Sequence, residues 1–271
     1  MEPLEVLFDG KQEGRPIRLP EGLLELYGGG LSLPDDCLYA NFVSSVDGVV
    51  ALGDPSVSSG PALSGRSEAD RFVMGLLRAV AGAVLIGGGT LRDDPGHLWT
   101  APYIFPPLAD DFAQLRSALG LDASPLLVVV TASGEIDVRE KALEQGALVL
   151  TTESGAARLQ GRLPTASKLR VLGETEFGIE RALAAVRAEG VRRLLSEGGP
   201  RILGQLVGPD LVDDLFLTFS PVLAGRAPDV QRLGLLEGLA LPAGALRTVR
   251  LSSVRRHGGH LLLRYAIKRM G

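Results

Sequence analysis

Two segments of the chain run from an apolar stretch into glycines and then toward a helix. They are Ala83-Val84-Leu85-Ile86-Gly87-Gly88-Gly89-Thr90-Leu91-Arg92-Asp93-Asp94-Pro95 and Arg193-Leu194-Leu195-Ser196-Glu197-Gly198-Gly199-Pro200-Arg201-Ile202-Leu203-Gly204. Glycine lets backbone N–H groups approach an anion, and a helix N-terminus adds unpaired donors and a positive dipole end, which suits phosphate or pyrophosphate. One such loop alone is an ordinary tight turn; two beside polar residues point to a ligand. Neither is a dinucleotide fingerprint, because Arg92 stands where the third glycine belongs, and neither ends in Gly-Lys-Ser/Thr. Pro95 pushes Asp94 toward extended backbone, so one of Asp93 and Asp94 could face a ligand; an N-cap with a solvated acid accounts for the pair equally well. Glu197 directly follows a short apolar strand, where a carboxylate must be hydrated or paired. Arg78, closing an amphipathic stretch, fits a helix-dipole partner or an anion hook.

These residues sit in an ordinary globular composition. The 271 residues hold 28 Lys+Arg against 32 Asp+Glu, a net charge of −4, with 45% hydrophobic residues. That supports a core without metal or disulfide, and the mildly acidic balance argues against nucleic acid as a partner. The run from Ala79 to Leu91 is too short and too broken by glycine to span a bilayer, so no membrane association is expected. Glu2 and Glu5 stand where a signal peptide needs basic residues, and a cytoplasmic location is expected. The lone Cys37 excludes an intrachain disulfide, and the pair His257 and His260 lacks companions for a metal shell, so no metal is expected.

The elements that must position the glycine loops follow from periodicity. Residues 1–36 read as an irregular arm, and residues 37–271 as a single domain. Leu38 to Ser44 predicts a strand, Asp47-Gly48 a turn, and Val49 to Leu52 a second extended segment. Ser67-Glu68-Ala69-Asp70 resembles a capping box opening a helix to Ala81. Strands are predicted at Ala83 to Ile86, Leu126 to Val130, Leu148 to Thr151, Leu169 to Leu172 and Arg192 to Ser196. Helices are predicted at Val138 to Gln145 and Ile179 to Glu189, with a helix-bearing insertion at the sheet edge over Phe105 to Ser124. This is βαβ alternation, and with Asp213 to Ser220, Leu246 to Val254 and His260 to Lys268 it predicts an α/β fold of three layers, α/β/α. Its mixed, mostly parallel sheet ends in a C-terminal antiparallel hairpin.

Taken in order, Ser45-Val46-Asp47-Gly48, Leu77-Arg78-Ala79, Gly88 to Pro95, Glu197-Gly198-Gly199-Pro200 and Ser220 to Gly225 resemble the riboflavin-biosynthesis pyrimidine reductase family, the reductase domain of the bifunctional deaminase-reductase, over about residues 37 to 268. The resemblance implies a dihydrofolate-reductase-like fold and a homodimer. It also implies NADPH-dependent reduction of 5-amino-6-(5-phosphoribosylamino)uracil to its ribitylamino product, a small-molecule substrate. The chain lacks the cysteines of the companion zinc deaminase and looks like a stand-alone reductase. Carried over by motif, the cofactor-facing positions are Val43, Gly88, Gly89, Thr90, Asp93, Thr131, Gly198, Gly199, Pro200, Arg201, Ile202 and Leu203, the second loop reaching Gln205. Substrate-facing positions are Asp47, Ala62, Ser64, Arg78, His97 and Glu197. Asp93 is the catalytic candidate, beside a cation developing at the sugar C1′, with Arg78 anchoring the phosphate. Two departures are visible. The family's frequent Trp before the first helix is absent from Gly60 to Gly65, and the Arg often found after Asp-Asp-Pro is missing from Gly96-His97-Leu98-Trp99-Thr100. Arg66, Arg78 or Arg92 could supply the charge, or the substrate could differ. The alternatives are a dihydrofolate- or pterin-type reductase on the same fold and a non-catalytic NADPH-binding paralogue.

Overall fold

A computed structural model of the chain describes residues 1–54 and 56–267. Its strands are β1 (Glu5–Asp9), β2 (Arg15–Ile17), β3 (Leu31–Leu33), β4 (Cys37–Ser44), β5 (Ala83–Gly87), β6 (Leu126–Val130), β7 (Ala147–Thr152), β8 (Lys168–Gly173), β9 (Arg193–Ser196), β10 (Asp214–Phe219), β11 (Val249–His257) and β12 (His260–Ile267). Its helices are α1 (Glu21–Tyr27), α2 (Ser59–Ser64), α3 (Glu68–Val80), α4 (Gly88–Asp93), α5 (Ala101–Ile104), α6 (Ala109–Ala118), α7 (Lys141–Glu144), α8 (Glu153–Leu159), α9 (Ile179–Ala188) and α10 (Pro200–Val207).

Ten strands form one sheet in the order β1-β11-β12-β10-β4-β9-β5-β6-β7-β8, and β2 pairs β3 separately. From β10 to β8 every neighbour is parallel, while β12, β11 and β1 extend the other edge antiparallel. The all-apolar runs lie in the middle because parallel strands covered on both faces have no polar side to show. One face packs against α1, α3, α6 and α8, the other against α9 and α10, which gives the three layers the alternation predicted. Among the described residues no helix is long and apolar enough to cross a membrane.

The helix that matters most to the site is α3. Ser67 Oγ accepts the Asp70 N–H at 3.3 Å, the cap its sequence predicted. Its other end is closed from outside: Arg116 of α6, 2% exposed, donates to the carbonyl oxygens of Arg78, Ala79 and Ala81 at 3.0, 3.2 and 2.8 Å. Gly75 permits this approach, since a Cβ there would stand 2.8 Å from the Phe112 ring.

Several expectations change. The arm over residues 1–36 is not irregular: it supplies β1, which pairs with β11, and it buries Leu4, Leu23, Tyr27, Leu31 and Leu33. Its elements are three to seven residues long, too short to display a period. Val49 to Leu52 forms no strand and keeps only an isolated bridge, Ala51 to Leu233. The helix expected from Val138 shrinks to Lys141–Glu144, and α6 packs on α3 within the helical layer instead of lying at the sheet edge. The last expected strand position, Lys268, lies outside the described residues.

Replacing Arg116 by Met keeps the stem and removes the donors from three buried carbonyls. A loss of about 2–4 kcal/mol in unfolding free energy is expected, read by urea denaturation. A loss smaller than about 0.5 kcal/mol would mean that water takes over the guanidinium's bonds.

Candidate active site

β5 and β9 are neighbours, so their glycine loops leave the sheet side by side. The Glu197 N–H continues the ladder, donating to Leu85 O at 3.0 Å, and this holds Glu197 beside the start of the first loop. A Cβ built on Gly199 would meet Thr90 Oγ1 at 3.7 Å, so the two loops face each other closely. They form one wall of a cleft of about 1190 Å³ at the carboxyl ends of the strands, the usual ligand position in open α/β sheets. The opposite wall is α3, which presents Asp70, Met74 and Arg78, spaced i, i+4, i+8 along one face. Two loops far apart in sequence are tied together beside the cleft. Val50 N–H donates to Leu233 O at 2.9 Å, Leu233 N–H to Ala51 O at 2.9 Å, and Arg226 Nη2 to Gly48 O at 2.9 Å.

The cleft wall carries a buried ion pair. Arg78 is 2% exposed; its Nη2 lies 2.7 Å from Glu197 Oε2, and its Nε lies 3.1 Å from both carboxylate oxygens. Nη1 donates to Leu98 O at 3.3 Å and Thr100 O at 3.4 Å, and Nη2 meets His97 Nε2 at 3.1 Å. The five donors of a guanidinium are thereby taken, so Arg78 fixes the wall and has none left to anchor a phosphate. Because arginine only donates, His97 Nε2 accepts and the ring proton sits on Nδ1. The His97 ring stands 4.8 Å from Trp99 and 4.9 Å from Tyr103. Burial first and the Arg78 charge second push its pKa down to about 3.

The acids are tuned apart. Asp93, at the end of α4, is held above the ordinary carboxylate range by desolvation, reinforced by Asp94 and opposed by Arg92. Asp94 is engaged by Ser58 Oγ. Asp70, 4% exposed in the first turn of α3, is raised to about 6, chiefly by burial.

Of the expected site residues, Val43, Gly88, Gly89, Thr90, Asp93, Thr131, Gly198, Gly199, Pro200, Arg201, Ile202, Ser64, Arg78, His97 and Glu197 line the cleft. Three do not. Leu203 is core, 1% exposed; Ala62 is on the outer side of α2; and Asp47 accepts the Ala224 and Gly225 N–H groups at 2.9 and 2.7 Å, holding two loops together. These bonds, the Ala224 one foremost, hold the Asp47 carboxyl well below its usual range. Asn41, Asp70, Arg71 and Gln231 line the cleft without having been expected there. Asp70 was hidden as a capping-box acid, although its spacing of eight from Arg78 on an apolar helix was a usable signal.

A family model described as RibD C-terminal domain matches residues 37–263. The chain is 26% identical over 190 residues to an Archaeoglobus fulgidus protein named 2,5-diamino-6-ribosylamino-4(3H)-pyrimidinone 5′-phosphate reductase, a match covering 69% of this chain and 81% of that one. Among solved structures it is similar to a pyrimidine reductase-like protein from Corynebacterium diphtheriae, with TM-score 0.68, 20% identity and coverage of 93% and 96% of the two chains. It is also similar to the riboflavin biosynthesis reductase of Saccharomyces cerevisiae, with TM-score 0.57, 14% identity and coverage of 92% and 97%. Against Acinetobacter baumannii RibD the TM-score is 0.62 at 16% identity; 86% of this chain is covered, and it spans 58% of that longer chain. At these identities the structural matches speak for the fold.

The depressed His97 pKa has a sign. The unfolded state, with an ordinary imidazole near 6.5, binds a proton that the folded state refuses until about pH 3, so stability falls as pH is lowered through that window. The ring resonances of His97 are expected to stay at their neutral positions from pH 8 to about 4, followed by NMR. Titration near 6 would mean that the contact with Arg78 does not persist in solution.

Proposed function

Since the chain belongs to the RibD C-terminal domain family, we propose that it is an NADPH-dependent reductase of 5-amino-6-(5-phosphoribosylamino)uracil, forming 5-amino-6-(5-phosphoribitylamino)uracil. The observation that carries this is the convergence of two glycine loops on one cleft of about 1190 Å³, larger than a single small ligand needs. The residues fit a dinucleotide. A Cβ on Gly89 or Gly199 would meet only a side-chain atom, Arg92 Nη2 at 3.8 Å or Thr90 Oγ1 at 3.7 Å, so no backbone blocks a ligand there, and Thr90, Thr131, Gly198 and Ile202 complete the cradle. When bound, the dihydronicotinamide supplies a hydride. Arg92, which lines the cleft and is pinned by donating to Glu135 O at 2.6 Å, is assigned to the ribose 2′-phosphate and so to the preference for NADPH.

The chain's own side chains do the rest. Asp93 places negative charge beside the C1′ carbon, where the sugar becomes a cation as its ring opens. Glu197, held by Arg78, keeps one carboxylate in a fixed orientation toward pyrimidine or ribityl donors. With Arg78 fully engaged, the phosphate falls to Arg66 and Arg71 at the α3 end of the cleft. Arg66 carries the left-handed φ of 57°, unusual for a non-glycine residue, and Arg71 keeps a buried Nε without a partner. The Archaeoglobus relative is named for the 2,5-diamino-pyrimidinone form of the substrate, so both pyrimidines belong in the test.

Loss of reduced-nicotinamide absorbance is expected with a phosphoribosylamino pyrimidine and not with dihydrofolate; turnover of dihydrofolate alone would overturn the assignment. Asp93→Asn should lower kcat about 100-fold and affect the NADPH Kd far less. Arg92→Ala should weaken NADPH about tenfold and NADH hardly at all, measured by fluorescence titration; an equal effect on both would remove Arg92 from the 2′-phosphate.

A further inference from the structure

We propose that Asp70 is the general acid that opens the sugar ring of the substrate, giving its proton to the ring oxygen as the C1′–O4′ bond breaks; this rests on the reductase reading above.

The geometry separates Asp70 from the cofactor loops. It lines the cleft from the first turn of α3 and hydrogen-bonds with Thr218 of β10, while the glycine loops leave β9 and β5. In the sheet β4 lies between β10 and β9. With neighbouring strands about 4.8 Å apart, β10 and β9 stand about 10 Å apart, so Thr218, beside Asp70, and Glu197 belong to separate parts of the cleft that share its lining. In the proposed reaction Asp70 meets the sugar from the α3 side of the cleft, and the glycine loops assigned to the cofactor form the other wall.

The reaction needs such a proton. In the closed ribosylamine the exocyclic nitrogen pushes its lone pair to C1′, the C1′–O4′ bond breaks, and O4′ takes the acid's hydrogen to become the 4′-hydroxyl. The product of this step is a C=N cation and an Asp70 carboxylate. C1′ of this cation is then the acceptor for the hydride, two electrons, that the dihydronicotinamide would supply when bound, giving CH₂, and the Asp70 carboxylate regains its proton from water. One proton and one hydride are consumed per turnover. Asp93, on the α4 side of the cleft, is already assigned to the charge beside C1′, and Glu197 is engaged as an ion pair with Arg78.

Asp70 is built to be the acid. Burial raises its pKa to about 6, and the carboxylate of Glu197 after β9 adds to this. The Thr218 hydrogen bond and the charges of His260 on β12 and Arg71 on its own helix pull it back. The result is a proton donor poised near the working pH. His260 is oriented by Nε2–H donating to Ser64 O at 2.9 Å.

The test is Asp70→Asn, which keeps the shape and the bond to Thr218 and removes the acid. With wild-type protein turning over the pyrimidine, the variant is expected to lose kcat by about 100-fold or more, with the NADPH Kd unchanged. Wild-type kcat/KM should fall about tenfold per pH unit above about pH 6, a limb absent from the variant. In the unliganded protein, infrared difference titration should show a carboxylic-acid C=O band that disappears over the same pH range in wild type and is missing from the variant. A variant within about threefold of wild type overturns the acid role and leaves the reductase reading standing; a wild type that turns over no phosphoribosylamino pyrimidine overturns both. Should Asp70→Asn fail to fold, a wild-type kcat/KM that is flat from about pH 5 to 8 overturns the proposal by itself.

Discussion

Arginine and glutamate cannot be left unpaired in a protein interior, where each lone charge costs several kcal/mol. The Arg78–Glu197 pair turns this penalty into a geometric constraint. Arg78 ends α3, Glu197 ends β9, and the same guanidinium binds two carbonyls and the ring of His97 in the segment between α4 and α5. Helix, strand end and loop are set with respect to one another by a single planar group, and Arg116 secures the same helix end from behind. A lysine could not replace Arg78, because a point charge lacks the fork that serves carboxylate, carbonyls and imidazole together. The cleft is rigid at this wall because moving any of the three elements would expose a desolvated charge.

Among the carboxylates that line the cleft, three sit in distinct environments: paired in Glu197, partly desolvated in Asp93, buried near a hydroxyl in Asp70. Environment and not residue type sets them apart, as it does in sites where neighbouring carboxylates differ in proton affinity. The neighbouring His97 is driven out of the titration range altogether and serves as a neutral acceptor.

How much of this the sequence discloses depends on range. The central strands and both glycine turns were legible because β5, β6 and β9 are short, apolar runs flanked by glycine, and α3 because its cap and period agree. Arg78 could be read locally only as a dipole partner or an anion hook; its true partner lies 119 positions away, beyond any spacing rule. Asp47 looked like a site residue for the same reason, since the N–H groups it accepts come from Ala224 and Gly225. Leu203 was swept in with its loop, although helical rotation turns it into the core. The arm reads as irregular because the five residues of β1 are too few to show a period, and its place in the sheet is set by the distant β11.

That last pairing bears on how the chain is made. Glu5 lies opposite Arg256 and Asp9 opposite Ser253, so β1 leaves the ribosome long before the strand that becomes its neighbour. Until then Val6, Leu7 and Phe8 are an apolar segment with free backbone donors and acceptors, and even when folded they are 42%, 48% and 45% exposed at the sheet edge. Such strands invite pairing with other chains, and flanking acids and a bulge, here Glu5, Asp9 and the register shift between Val6 and Phe8, are the usual protection. A translation product stopped before β11 would carry the sticky strand without its mate, which makes incomplete chains of this protein natural clients for chaperones and proteases.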